Sequence, residues 1–197
     1  MTSNHFIWIG LVALLVFWAV GAYNRLVRLK NTIVNVFGQV DVQLKRRYDL
    51  VLALVEAVRR YLPHDTAALG AVTLASNQAR SASDAARRRP TSTKAVTALS
   101  EAEVSMSSSL GRLFVAAQAR PEFKIDETTK GLIEELTNTD NKARFSQQTY
   151  NNAVQDYNTA QGEFPTVLLA RLFGFGPSAM LQTTQNSEEF RALHMQL

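Results

Sequence analysis

A chain of 197 residues, 46% of them apolar, is long enough for one domain with its own core. It has no cysteine, which excludes disulfides and thiolate metal sites, and His5, His64 and His194 are too scattered for HExxH or ExxH ligand patterns. A net charge of +4 is small enough that the placement of charge matters more than its sum.

Residues 1–5 read as a short tail and residues 6–22 (FIWIGLVALLVFWAVGA) as a transmembrane anchor, uncharged and at the short end of what spans ~30 Å of hydrocarbon. Trp8 and Tyr23 stand near its two ends, where amphipathic aromatics favour the interface. A cleaved signal peptide is the rival reading, but MTSNH carries no Lys or Arg and the helical pattern runs through the supposed cut at Ala19–Ala22. Cationic residues follow the span (Arg25, Arg28, Lys30) and none precedes it. The positive-inside rule therefore places the N-terminus outside and the domain in the cytoplasm of a single-pass inner-membrane protein, with a periplasmic domain as the alternative.

The next 155 residues, 23–177, read as helices separated by Pro and Gly. A first helix over 23–62 places Leu26, Leu29, Ile33, Val36, Val40, Leu44, Tyr48, Val51, Val55, Val58 and Leu62 on a heptad-like seam. Pro63 ends it, and Asp65 or Thr66 can cap a second helix over 65–87 with a small-sided stripe (Ala68, Val72, Ala75, Ala79, Ala82, Ala86). After the turn at Arg87–Ser92, a third helix over 94–120 carries Val96, Leu99, Met106, Leu110, Leu113 and Ala117. A fourth over 127–161 places Leu136, Ala143, Tyr150 and Tyr157 seven residues apart, with Phe164 continuing the row. Gly162 and Pro165 stop it, a short apolar piece follows, and residues 178–197 read as a polar, loose tail. The pattern predicts an all-α fold, an antiparallel up-and-down four-helix bundle continuing from the anchor, in which helix 4 returns toward the membrane.

Four stretches, YNRLVRLKN, QVDVQLKRRYDL, TYNNAVQDYNTA and FPTVLLARLFGFGP, occur in the order seen in the LemA family of bacterial membrane-anchored helical proteins, and the chain resembles that family over residues 23–177. It departs from the family's D-L-I-P-N-L-V at Asp49–Val55, where the missing Pro predicts a straighter first helix, and again at Thr139–Phe145. The resemblance implies an anchored helical bundle without established catalytic activity. It also implies loose links to envelope stress and to membrane neighbours such as zinc metalloproteases or TPM-domain proteins.

Two groups of residues are candidates for a partner surface. Lys45, Arg46 and Arg47 form a basic cluster that reads as a docking patch for an acidic partner or as a solvated face with an Asp41–Lys45 pair. Tyr150-Asn151 and Tyr157-Asn158 repeat at seven residues, as a packed core row or as a polar interhelical ladder. Phe164, Leu172, Phe173 and Phe175, with Arg25, Arg28 and Lys30, should lie close to the bilayer.

No convergent set of His, Cys or paired carboxylates points to catalysis, metal or cofactor binding, and no motif points to nucleic acid. The expectation is a non-enzymatic scaffold or adaptor that contacts lipid through its anchor, meets an unidentified membrane protein and leaves room for homo-oligomers. The alternative is a membrane-shaping protein whose apolar C-terminal segment and basic turns bind lipid.

Overall fold

One helix carries both the apolar run and the first core seam. In the computed structural model, which describes residues 2–62, 65–120 and 126–182 and side chains from His5 onward, α1 runs unbroken over Thr2–Arg59. No proline interrupts the amide ladder in that stretch. It ends three residues before the expected Leu62, in a turn that still buries Leu62. Pro63, His64 and Pro121 lie outside the described residues.

The remaining helices are α2 (Thr66–Arg88), α3 (Thr93–Gln118), α4 (Glu127–Gly162) and the short α5 (Thr166–Leu172). Each of α2, α3 and α4 begins on a side-chain cap that accepts a main-chain N–H: Asp65 from Ala68, Ser92 from Ala95 and Asp126 from Thr129. Such caps satisfy donors that the first turn of a helix leaves open. Among the described residues there is no strand.

The architecture is an all-α bundle on a long N-terminal apolar helix. α1 packs most extensively on α4 and also on α2, while α2 packs on α3. The whole seam of α1 faces inward, with Leu29 and Val36 half-buried at its edge and Phe37, Leu50 and Leu54 widening it. The row on α4 is buried through Leu136, Ala143, Tyr150 and Tyr157 but breaks at Phe164. That residue is 81% exposed, because α4 stops at Gly162 and the chain turns before the next heptad position can form.

The tail expectation is also corrected. Ser178–Gln182 does not hang free: the chain folds back as an extended strap on α3 and α4, burying Ser178 and Leu181. Residues 183–197 lie outside the described residues.

The core has two apolar clusters. One joins Leu26–Tyr48 of α1 to Val96–Met106 of α3 and Ala143–Ala160 of α4. The other joins Leu50–Leu62 to Leu110–Ala117, Ile133 and Leu136. A methyl-for-isobutyl exchange in either leaves a cavity that rigid neighbours fill only in part. Leu44→Ala in the first cluster and Leu54→Ala in the second should each cost about 2–5 kcal/mol. Exposed Val42→Ala should stay within about 0.5 kcal/mol, all read from urea unfolding.

Candidate functional site

The two clusters meet at a polar layer whose centre is Arg47. Its guanidinium is buried and forked: Nη1 donates to Glu103 of α3, Nη2 donates to Ser107 Oγ (2.9 Å), and Nε lies 2.8 Å from Asp140 Oδ1 of α4. The Nε–H does not point along the line to that oxygen, so the last contact is an ion pair rather than a hydrogen bond. Tyr48 Oη completes the layer, donating to the other Glu103 oxygen (2.6 Å). Burial pulls the Arg47 pKa down, but the carboxylates of Glu103 and Asp140 outweigh it and hold the guanidinium firmly protonated. Burial first, and then the Glu103 charge, push the Tyr48 phenol well above its ordinary range.

The basic cluster is therefore not one surface. Arg47 points inward, Arg46 is exposed but pairs with Glu135 of α4, and Lys45 bridges Asp41 (3.2 Å) and Asp84 of α2 (3.1 Å). The carboxylate of Asp41 is buried and also receives Ser83 Oγ (3.0 Å) and Arg87 Nη1 (3.1 Å). The three adjacent side chains diverge by ~100° per residue and each meets carboxylates of its own chain, so Arg47 is withdrawn from the surface while Lys45 and Arg46 stay at it. Glu103 and Ser107 escaped the sequence reading and Asp140 looks there like surface acidity beside Glu134 and Glu135, yet a signal was present. The seam of helix 3 steps by seven from Leu99 to Met106 among steps of three and four, and Glu103 stands at the missing position.

The Tyr-Asn repeat forms a second polar construction. The Tyr150 and Tyr157 rings are buried, Tyr150 meeting Phe37 edge-on at 5.5 Å. The single Tyr150 hydroxyl proton is shared between the carbonyls of Pro90 (2.9 Å) and Ala179 (3.0 Å), and the Tyr157 hydroxyl donates to that of Gly176 (3.0 Å). Asn158 donates to the Ser178 carbonyl and accepts from the Ser178 N–H, both at 2.9 Å. Asn151 does the same with Leu181, again at 2.9 Å in both directions. The register follows from two rises: seven residues of α-helix advance roughly 10.5 Å, and three residues of extended chain roughly 10 Å. Within one chain the polar atoms of these four residues hold its own strap.

The third group gathers where the apolar run of α1 ends. Tyr23 meets Phe173 (5.1 Å) and Phe175 (5.6 Å) edge-on, and Lys30 Nζ sits 5.8 Å over the Phe175 ring. Arg25 lies 3.9 Å from Glu163, and Arg28 is exposed. Phe164, Leu168 and Leu172 follow one another at four-residue steps along one exposed face of α5 and its entry turn, with exposed Phe173 beside them. The Arg87–Arg89 turn, by contrast, meets α1 at Asp41, roughly 28 Å of helix beyond Ala22 and several screening lengths from any bilayer the apolar run enters.

In the buried layer Glu103 accepts from Arg47 and Tyr48 and Asp140 is ion-paired with Arg47, and among the described residues no three His, Asp or Glu converge as metal ligands. A family model described as the LemA family matches residues 36–194, most of the chain. The chain belongs to the LemA family. A search of curated proteins returned no match. The LemA family match includes both the Arg47 layer and the strap clamp, so the geometry above belongs to the region that defines membership.

Removing Arg47 takes the guanidinium away from buried Glu103 and half-buried Asp140, so Arg47→Ala should cost about 3–5 kcal/mol in urea unfolding. Arg46→Ala, at an exposed pair, should cost at most about 1 kcal/mol. The raised phenols set an alkaline limit. Tyr48, Tyr150 and Tyr157 ionise less readily folded than unfolded, so their contribution is complete below the unfolded value near pH ~10 and falls as pH rises above it. Unfolding midpoints measured between about pH 8 and 11 should decline at the upper end, and less so in Tyr150→Phe.

Proposed function

We propose that this LemA-family protein is a non-catalytic, membrane-tethered helical scaffold. The observation that supports it most strongly is continuity. An exposed apolar segment long enough to cross a bilayer and the central core helix of the bundle are one α-helix, so a bundle built on α1 is fixed to whatever that segment enters. The functional groups inside the bundle join helices to each other, leaving its outer faces as the part available to other proteins. The cationic residues after the span favour an outside N-terminus and a cytoplasmic bundle in the inner membrane. The family resemblance adds envelope stress as the setting, and a zinc metalloprotease or TPM-domain protein as the neighbour it serves.

Crosslinking in native membranes followed by co-purification tests the role. A recurrent membrane-protein partner is the expected result; recovery of the chain alone under several crosslinkers would sink the scaffold reading. Because the chain has no native cysteine, topology can be read with Asn152→Cys alone. An impermeant maleimide should label it only after the inner membrane is opened.

A lipid-binding reading draws on the exposed stripe of Phe164, Leu168 and Leu172 beside Phe173, flanked by Arg25 and Arg171. Amphipathic elements of this kind rest in the headgroup boundary. The basic turn at Arg87–Arg89 lends it no support at its distance from Ala22. In proteoliposomes of the full chain, a dye on Leu168→Cys should be quenched by a headgroup-level lipid quencher, and a dye on Gln155→Cys should not. Adding Leu172→Ser and Phe173→Ser should halve the quenching or more; unchanged quenching would argue against lipid contact by α5.

A further inference from the structure

The strap is recognised in an unusual way for a helical bundle. Its contacts with α4 are made through its main chain, by two asparagine side chains that each offer one donor and one acceptor, as a neighbouring strand would. The other wall adds main-chain readout of the same kind: Thr93 Oγ1 donates to the Pro177 carbonyl (3.2 Å) and the Gln182 N–H donates to Ser100 Oγ (3.3 Å). The groove between α4 and the N-terminal half of α3 is thus built to hold an extended peptide.

The side chains it demands are few. Ser178 and Leu181 are buried and Ala179 packs on the core, whereas Gly176, Pro177, Met180 and Gln182 are exposed. A peptide that fits therefore needs two small residues followed, one position on, by a leucine. This chain carries that segment itself.

The described part of the strap buries little apolar surface. Leu181 is the one large apolar side chain the strap buries, and the strap joins α5 through exposed Gly174, whose φ of +71° suits glycine. Segments with so little apolar burial open without unfolding the body. An open groove leaves the Asn151 and Asn158 amides and the Tyr157 hydroxyl without their partners, and a second strap of the same sequence restores all of them.

We propose that the α3–α4 groove is an extended-peptide receptor that takes the strap of a second copy of this chain, so that neighbouring copies exchange straps. The exchange rests on the tethered reading only for its rate. Copies held by the same N-terminal segment stand parallel with their grooves at one height, which suits a reciprocal, two-fold swap about an axis along the membrane normal.

The test uses two differently tagged full-length chains, co-expressed and examined both in detergent and in proteoliposomes. The first carries Met180→Cys with a benzophenone attached; the second keeps its natural sequence. Photolysis should join the strap of the first to peptides 95–112 or 145–171 of the second, identified by mass spectrometry. The product should fall at least five-fold when the second chain carries Asn151→Ala and Asn158→Ala, with helicity checked by circular dichroism. It should fall equally when the first carries Leu181→Asp, a change that leaves the receiving groove intact. Products confined to a single chain, or intermolecular products indifferent to both changes, would overturn the exchange. Failure of the chain to enter liposomes would count against the tether alone, since the detergent arm still reads the groove.

Discussion

A buried guanidinium dictates how three of these helices align. Arg47 leaves α1 at the boundary between two apolar clusters and finds Glu103 and Ser107 on α3 and Asp140 on α4. Desolvating those charges is expensive, and well-packed apolar residues of equal volume are often as stabilising. What the layer supplies is register. A slip of one helical turn, roughly 5.4 Å, would set the guanidinium against hydrocarbon and leave two carboxylates unpaired. The leucine and alanine rows on either side tolerate such a slip far better, because apolar contact is non-directional.

Much of this fold is legible in the sequence because apolar periodicity reports burial directly. The seam from Leu26 to Leu62 and the rows on α2 and α3 all face inward. Legibility stops where polar groups enter the core. Glu103 and Asp140 look like surface charges, the first until the seven-residue step around it is noticed, and only the coordinates reveal that one arginine meets both. The strap is harder still. Recognition through main-chain amides leaves no side-chain pattern in the segment recognised, so Ser178–Gln182 reads as tail. Half of the signal lay elsewhere, in the seven-residue repeat of Asn151 and Asn158.

That repeat also explains the composition of α4. Asparagine and threonine are indifferent helix formers, and a helix crowded with amides must be held by its neighbours. Here the amides that lower intrinsic helicity bind the returning chain, which in turn covers the helix. α4 is stabilised on one side by α1 and, at its anchor-proximal end, by a segment that follows it in sequence. Local preference is surrendered where tertiary contact replaces it.

The unbroken course of α1 has a mechanical meaning. A span joined to its domain by a flexible linker lets the domain tumble; a span that continues as the core helix makes the two a single lever. About 37 residues of α1 beyond Ala22 correspond to an arm of roughly 55 Å. A tilt of ~10° at the base sweeps the far end through roughly 10 Å by that length, and a rotation of the span about its axis turns every face of the bundle by the same angle. If the apolar segment of α1 enters a bilayer, as proposed above, any tilt by which it meets a change in bilayer thickness would reach the distal turns, far from lipid.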